Sequence, residues 1–68
     1  MKVTILNVQN GMEFYDASND RYLTVDGIDG GSRTCSCIVE EFDVDMDDYV
    51  VIDRFNFYVN ELNNFKYL

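Results

Sequence analysis

Between Glu40 and Tyr49 the chain alternates acids with apolar residues, so that Glu41, Asp43, Asp45 and Asp47 stand between Phe42, Val44 and Met46. A period of two is a strand pattern, and an extended backbone would set a carboxylate roughly every 6.7 Å along one face. Oxygen donors at that density could bind a divalent cation, share a proton as an acid–base pair, or meet a positively charged surface. Each role makes a demand on the rest of the sequence.

Cation binding asks for a turn and a full set of ligands. Asp43-Val44-Asp45-Met46-Asp47 begins like an EF-hand loop, whose alternate acids ligate calcium. The sixth position is then Asp48, where the loop needs glycine, and the twelfth is Arg54, where it needs a bidentate glutamate. No metal site is expected there. Cys35 and Cys37, one residue apart with no second pair and no histidine in the chain, lack the ligands of a structural zinc centre. On a strand both would point to one face about 6.7 Å apart along the backbone, which is poor disulfide geometry, so they read as reduced thiols.

Catalysis asks for a general base and a walled cleft. The absence of histidine removes the usual nucleophile–base arrangements. A carboxylate pair needs a cleft that raises one pKa, and a chain of 68 residues buries only about 60% of its unfolded surface, leaving little room for one. The glycines of Asp26–Ser32 have neither the lysine nor the spacing of a phosphate-binding loop, and Asp26 and Asp29 would repel an anion. The chain reads as a protein that is not an enzyme and needs no cofactor.

Charge complementarity remains. Thirteen acids against five bases give a net charge of −8, which opposes binding to nucleic acid or an anionic membrane and favours a cationic partner. Six acids lie within Glu40–Asp48 with no base among them. They would fit the basic groove of a nucleic-acid-binding protein, where a DNA strand offers one charge per 3.4 Å. Alternate acids on a strand supply about half that density. The expected partner-binding residues are therefore Glu40, Glu41, Asp43, Asp45, Asp47 and Asp48, with Tyr49 and Tyr58 as aromatic anchors. In composition, though in no specific motif, the chain is similar in kind to small phage and plasmid inhibitors that mimic DNA against restriction, repair or CRISPR machinery. The alternative is an assembly module, a homodimer included, that binds through a strand edge and the aromatics of a C-terminal helix, its acids serving only solubility.

These residues need a scaffold. With 47% hydrophobic residues, including five Tyr and five Phe, the chain is too apolar for a disordered acidic tail. Val3–Val8 reads as a strand, Asn10-Gly11 as a type I′ hairpin turn, and Met12–Asp16 as the returning strand. Ala17–Asp20 is a turn, Arg21–Val25 a third strand, and glycine-rich Asp26–Ser32 a mobile loop. Arg33–Val44 is a long strand whose apolar side switches near Glu40, the mark of a bulge or of a bend where the strand leaves the sheet core. Tyr49–Ile52 follows as a last strand after a turn at Asp47-Asp48. Asp53 then resembles a helix N-cap, Ile52 and Phe57 a hydrophobic staple, and Phe55, Val59, Leu62 and Phe65 recur at near-helical spacing, predicting a helix over Arg54–Lys66.

No repeat or low-complexity tract divides the sequence, so one domain over residues 1–68 is expected. Its predicted class is α+β: a small antiparallel meander of four or five strands packed against one C-terminal α-helix. The apolar run after Lys2 stops at Asn7, far short of a signal-peptide core, so a cytoplasmic location is expected.

Overall fold

The computed structural model describes residues 2–68. Five strands form one antiparallel sheet: β1 Glu13–Asp16, β2 Arg21–Asp29, β3 Thr34–Asp43, β4 Asp48–Tyr58 and β5 Lys66–Tyr67. Their spatial order is β4-β3-β2-β1-β5. The first four make a meander, and the chain then crosses to add β5 on the far side of β1.

One face of the sheet is the core. Alternate residues Leu23 and Val25 of β2 and Cys35, Cys37 and Val39 of β3 are buried there with Phe14 of β1. Val3, Val8, Val59 and Leu62 close over them. The two cysteines are free thiols on this face, and burial pushes both up in pKa, Cys37 to about 12. They behave as small apolar residues.

The chain is nearly all β, which overturns the α+β class and its C-terminal helix. β4 continues through Tyr58, and only Val59–Asn64 turns helically, as a short 3₁₀ helix. The residues read as helical also fit a strand, because Phe55 and Phe57 alternate, and Phe57 packs edge-to-face on Phe65 at 5.7 Å. Val59 and Leu62, three apart, are the buried pair a 3₁₀ turn presents on one side. Asp53 caps no helix; its Oδ1 accepts the N–H of Arg54 within β4 at 2.7 Å.

Val3–Val8 is also not a strand. Thr4 C=O accepts the N–H groups of Asn7 and Val8, so the segment turns back on itself. It is held to the 3₁₀ helix by Asn63, whose Oδ1 accepts Val3 N–H at 2.8 Å and whose Nδ2 donates to Val3 C=O at 2.9 Å. One side-chain amide thereby takes the place of a neighbouring strand. At Asn10-Gly11 only Gly11 has positive φ, +92°, and Met12 N–H donates to Gln9 C=O. That is the signature of a type II turn, not type I′. Gly11 and Met12 bond to Val25 of β2 instead of completing a hairpin with the N-terminal segment.

The predicted loop over Asp26–Ser32 is mostly strand, since β2 runs to Asp29. A bulge in β2 leaves Asp26 unpaired between Val25 and Gly27. Gly27 suits the site because a Cβ there would lie 2.8 Å from Ser36 Oγ. A second bulge falls at Val39/Glu40, where the apolar pattern switches, with Ile52 the extra residue on β4.

A sequence without repeats nonetheless repeats one structural device. All three meander hairpins close at an aspartate, Asp16, Asp29 or Asp43, which pairs across the ladder with the residue five positions on. Each aspartate Oδ1 accepts the N–H two residues later, that of Ser18 at 3.2 Å, Gly31 at 2.9 Å and Asp45 at 2.9 Å. Each turn ends in a residue of positive φ: Asp20 at 50°, Arg33 at 57° and Asp47 at 51°. The aspartate satisfies the tight turn's donors and the left-handed residue reverses the chain into the next strand.

Candidate functional site

The acidic run folds as the β3–β4 hairpin and its tip, and the structure distributes its six acids unequally. Glu40 and Glu41 are neighbours on β3 and face opposite sides of the sheet, Glu40 across from Val51 and Glu41 across from Val50. Asp43 ends β3, Asp45 and Asp47 lie in the turn Val44–Asp47, and Asp48 begins β4 opposite Asp43. The regular ladder of carboxylates therefore stops at Asp43, and the last four acids gather at one tip.

Three of the tip acids have local structural work. Asp43 Oδ1 accepts Asp45 N–H at 2.9 Å and Met46 N–H at 3.3 Å. Asp47 adopts the left-handed conformation that Asp and Asn tolerate best among side-chain-bearing residues. Asp48 Oδ1 accepts Tyr49 N–H at 2.7 Å. Asp45 has no such duty among the described residues. The ion pairs found among them, Arg21–Asp16 at 2.9 Å and Arg54–Asp26 at 2.6 Å, leave the tip uncompensated.

The three turns provide an internal comparison. Ala17, Ser18 and Asn19 fill the first, and Gly30, Gly31 and Ser32 the second, all small or polar as an exposed turn requires. The third holds Val44, Asp45 and Met46, with Val44 83% exposed and Met46 67% exposed. The turn geometry does not call for these side chains, and they add nothing to the core. Two large exposed apolar groups thus flank an unpaired acid at this turn.

Of the two aromatic anchors expected from the sequence, the structure brings one to this end. Tyr49 lies beside the tip, on the sheet face opposite the core. Tyr58 ends β4, nine residues from Tyr49 and roughly 30 Å away along the strand, and so belongs to another region. Tyr49 joins residues that the sequence reading passed over. Tyr15, Tyr22, Tyr49 and Phe42 form a run of rings with successive centroids 5.0, 4.9 and 5.5 Å apart. The signal was available in the turn at Ala17–Asp20, because a four-residue turn there makes Tyr15 and Tyr22 cross-strand partners. Tyr15 O–H donates to Asp20 at 2.7 Å, and that bond, with minor burial and the Asp20 charge, pushes the phenol up to about 12. Slight desolvation, followed by the Asp20 charge, raises Tyr49 as well.

The edge of β4 carries a further use of acid. Tyr49, Arg54 and Tyr58 donate their N–H groups to Asp48, Asp53 and Glu61 carboxylates instead of to a neighbouring strand. Acids in these places occupy donors that an incoming strand would need.

Among the described residues no three Cys, Asp or Glu side chains are grouped to hold a metal ion, and no helix is long and apolar enough to cross a membrane. A cleft of about 560 Å³ lies between the N-terminal segment and the start of the 3₁₀ helix, lined in part by Lys2, Arg33 and Asn60, away from the acidic tip. Comparison of the chain with protein-family models, curated proteins and solved structures returns no match.

Proposed function

We propose that this chain is a non-catalytic binding protein that docks the tip of its third hairpin into the basic, nucleic-acid-binding groove of a partner protein and keeps nucleic acid out. The observation that carries this reading is the difference among the three turns. The same turn device, a closing aspartate and a left-handed last residue, is built twice from small or polar residues and once from Val44, Asp45 and Met46, all exposed. The net charge of −8, with Glu40, Asp43, Asp45, Asp47 and Asp48 at the same end, supplies long-range attraction to a cationic groove. Val44 and Met46 supply apolar surface to bury once contact is made.

Three structural features weigh against the assembly-module alternative. Its helix aromatics do not exist as a group, because the helix is a strand through Tyr58. The β4 edge has carboxylates on three of its donors. Two copies would also bring like net charges together.

The test is affinity capture from a cell lysate at low and moderate salt, with the wild type beside a D43N/D45N/D47N/D48N variant. Asparagine keeps the Oδ1 acceptors that Asp43 and Asp48 use, so the substitution removes charge while leaving the turn its hydrogen bonds. A nucleic-acid-binding protein retained by the wild type at low salt and lost from the variant is the expected result. Equal retention by both chains, or recovery of no such protein, refutes the proposal.

A further inference from the structure

The sheet is layered on one side only. The opposite face has no second layer among the described residues, and its register sets Lys66, Tyr15, Tyr22, Glu40 and Val51 in one row across the five strands. Phe42 and Tyr49 form the next row toward the tip, while Asp43 and Asp48 alternate onto the other face. Phe42 is 45% exposed, and Tyr15, Tyr22 and Tyr49 are half-buried. Aromatic surface in this quantity, left open in a chain so small, is a surface held for a ligand.

Its chemistry selects the ligand. The four rings pack on one another tilted or edge-to-face, and aromatic π-faces are electron-rich. Asp20, which accepts the Tyr15 hydroxyl, and Glu40, opposite Tyr22, set carboxylates among the rings. Of the bases on this face, Arg54 is already paired with Asp26 at 2.6 Å, and Lys66 stands opposite Tyr15 at the β5 end of the row, away from Tyr49 and Phe42. A group that stacks on aromatic rings while donating several hydrogen bonds to surrounding carboxylates is a guanidinium. A lysine ammonium makes the charge contacts but is compact and strongly hydrated, so it gains much less from the rings. On the core side the molecule shows the same contact within itself, where the Arg21 guanidinium lies 5.6 Å from the centroid of Phe55.

We infer that the Tyr15–Tyr22–Tyr49–Phe42 face is an arginine-recognition surface, occupied by an arginine-bearing segment of the basic partner that the acidic tip attracts. The inference rests on the proposed function and narrows it, from any basic protein to one that presents arginine. Charge complementarity favours this occupant over a second copy of the chain, which carries the same −8, and over nucleic acid, which the acids repel. The surface is continuous with the tip, so one partner can cover both.

Fluorescein-labelled nona-arginine and nona-lysine, titrated with the protein and followed by fluorescence anisotropy at low salt, test the inference. The arginine peptide is expected to bind about tenfold more tightly, the size of effect one or two partly desolvated cation–π contacts produce. Substituting Y22L and Y49L together should bring arginine binding down to the lysine level and leave lysine binding unchanged. A parallel NMR titration of the wild type needs no variant: ring resonances of Tyr22, Tyr49 and Phe42 should move with the arginine peptide and stay still with the lysine peptide. Equal affinities, or rings unmoved while the Asp45 amide shifts, would overturn the arginine surface and leave the acidic tip standing. Binding of neither peptide would refute both readings.

Discussion

If the third turn is a contact surface, its side chains can be exchanged for those of the first turn without harm to the fold. The perturbation is the triple substitution V44A/D45S/M46N, which copies Ala17-Ser18-Asn19 between Asp43 and Asp47. The closing aspartate, its hydrogen bond to the N–H two residues on, and the left-handed final residue are common to both turns. Val44 and Met46 are 83% and 67% exposed, so the fold loses little burial and stability should stay within about 0.5 kcal/mol of wild type. Charge changes by one acid out of thirteen. Partner binding should respond far more. Burying a Val or Met side chain is worth about 1.5–3 kcal/mol, and recovering even part of that at two positions puts the loss at about 2–4 kcal/mol, or roughly 30- to 1,000-fold in Kd. Urea denaturation followed by circular dichroism measures the first quantity, and calorimetry with the captured partner the second. An unfolded triple variant would refute the equivalence of the turns, and unchanged affinity would refute the contact surface.

Two predictions concern the scaffold that presents the site. Asp16 is 3% exposed and accepts hydrogen bonds from Ser18 N–H, Asn19 Nδ2 and Arg21 Nε. Burial alone would raise its pKa, but the Asn19 and Arg21 contacts outweigh it and hold the carboxyl below its usual 3.8. A depressed folded-state pKa contributes stability that is present above the unfolded value and lost as pH falls through the folded one. The urea midpoint attributable to this group should be flat from neutral pH down to about 5 and fall below about 4. In D16N that part of the acid sensitivity should vanish, with about 2–3 kcal/mol lost at pH 7 because Arg21 is left without its charge partner; an unchanged pH profile would show that the pair contributes nothing. Asn63→Ala removes both hydrogen bonds to Val3, at about 1 kcal/mol each, and should leave the Val3 amide exchanging with solvent as an open chain does while Leu62 stays protected. Retained protection at Val3 would show that the segment is held by packing alone.

The central strands were legible because their sequence signals are local. Leu23 and Val25 in β2, and Cys35, Cys37 and Val39 in β3, alternate cleanly, and the bulge at Val39/Glu40 announced itself by the switch of apolar side. The C-terminal half misled because Phe55, Phe57, Val59 and Leu62 satisfy a period of two and a period near three in turn, as a strand runs into a 3₁₀ helix. Asp53 looked like a helix cap, and it caps instead an N–H of an edge strand, where the same short side chain answers a different exposed donor. Val3–Val8 is apolar enough for a strand, but its partner is the side chain of Asn63, sixty residues away, and no local pattern encodes that. The acidic run was found from its composition. Its division into turn-forming Asp43 and Asp47, edge-capping Asp48 and unassigned Asp45 required the register.

The most direct test of the proposed function takes the partner recovered by capture, loads it with a fluorescent oligonucleotide, and titrates in the protein while anisotropy is read at low and moderate salt. Stoichiometric release of the oligonucleotide by the wild type, weakened by added salt and abolished in the D43N/D45N/D47N/D48N variant, is the predicted result. Simultaneous binding of protein and oligonucleotide to the partner, with no release at either salt concentration, would contradict it.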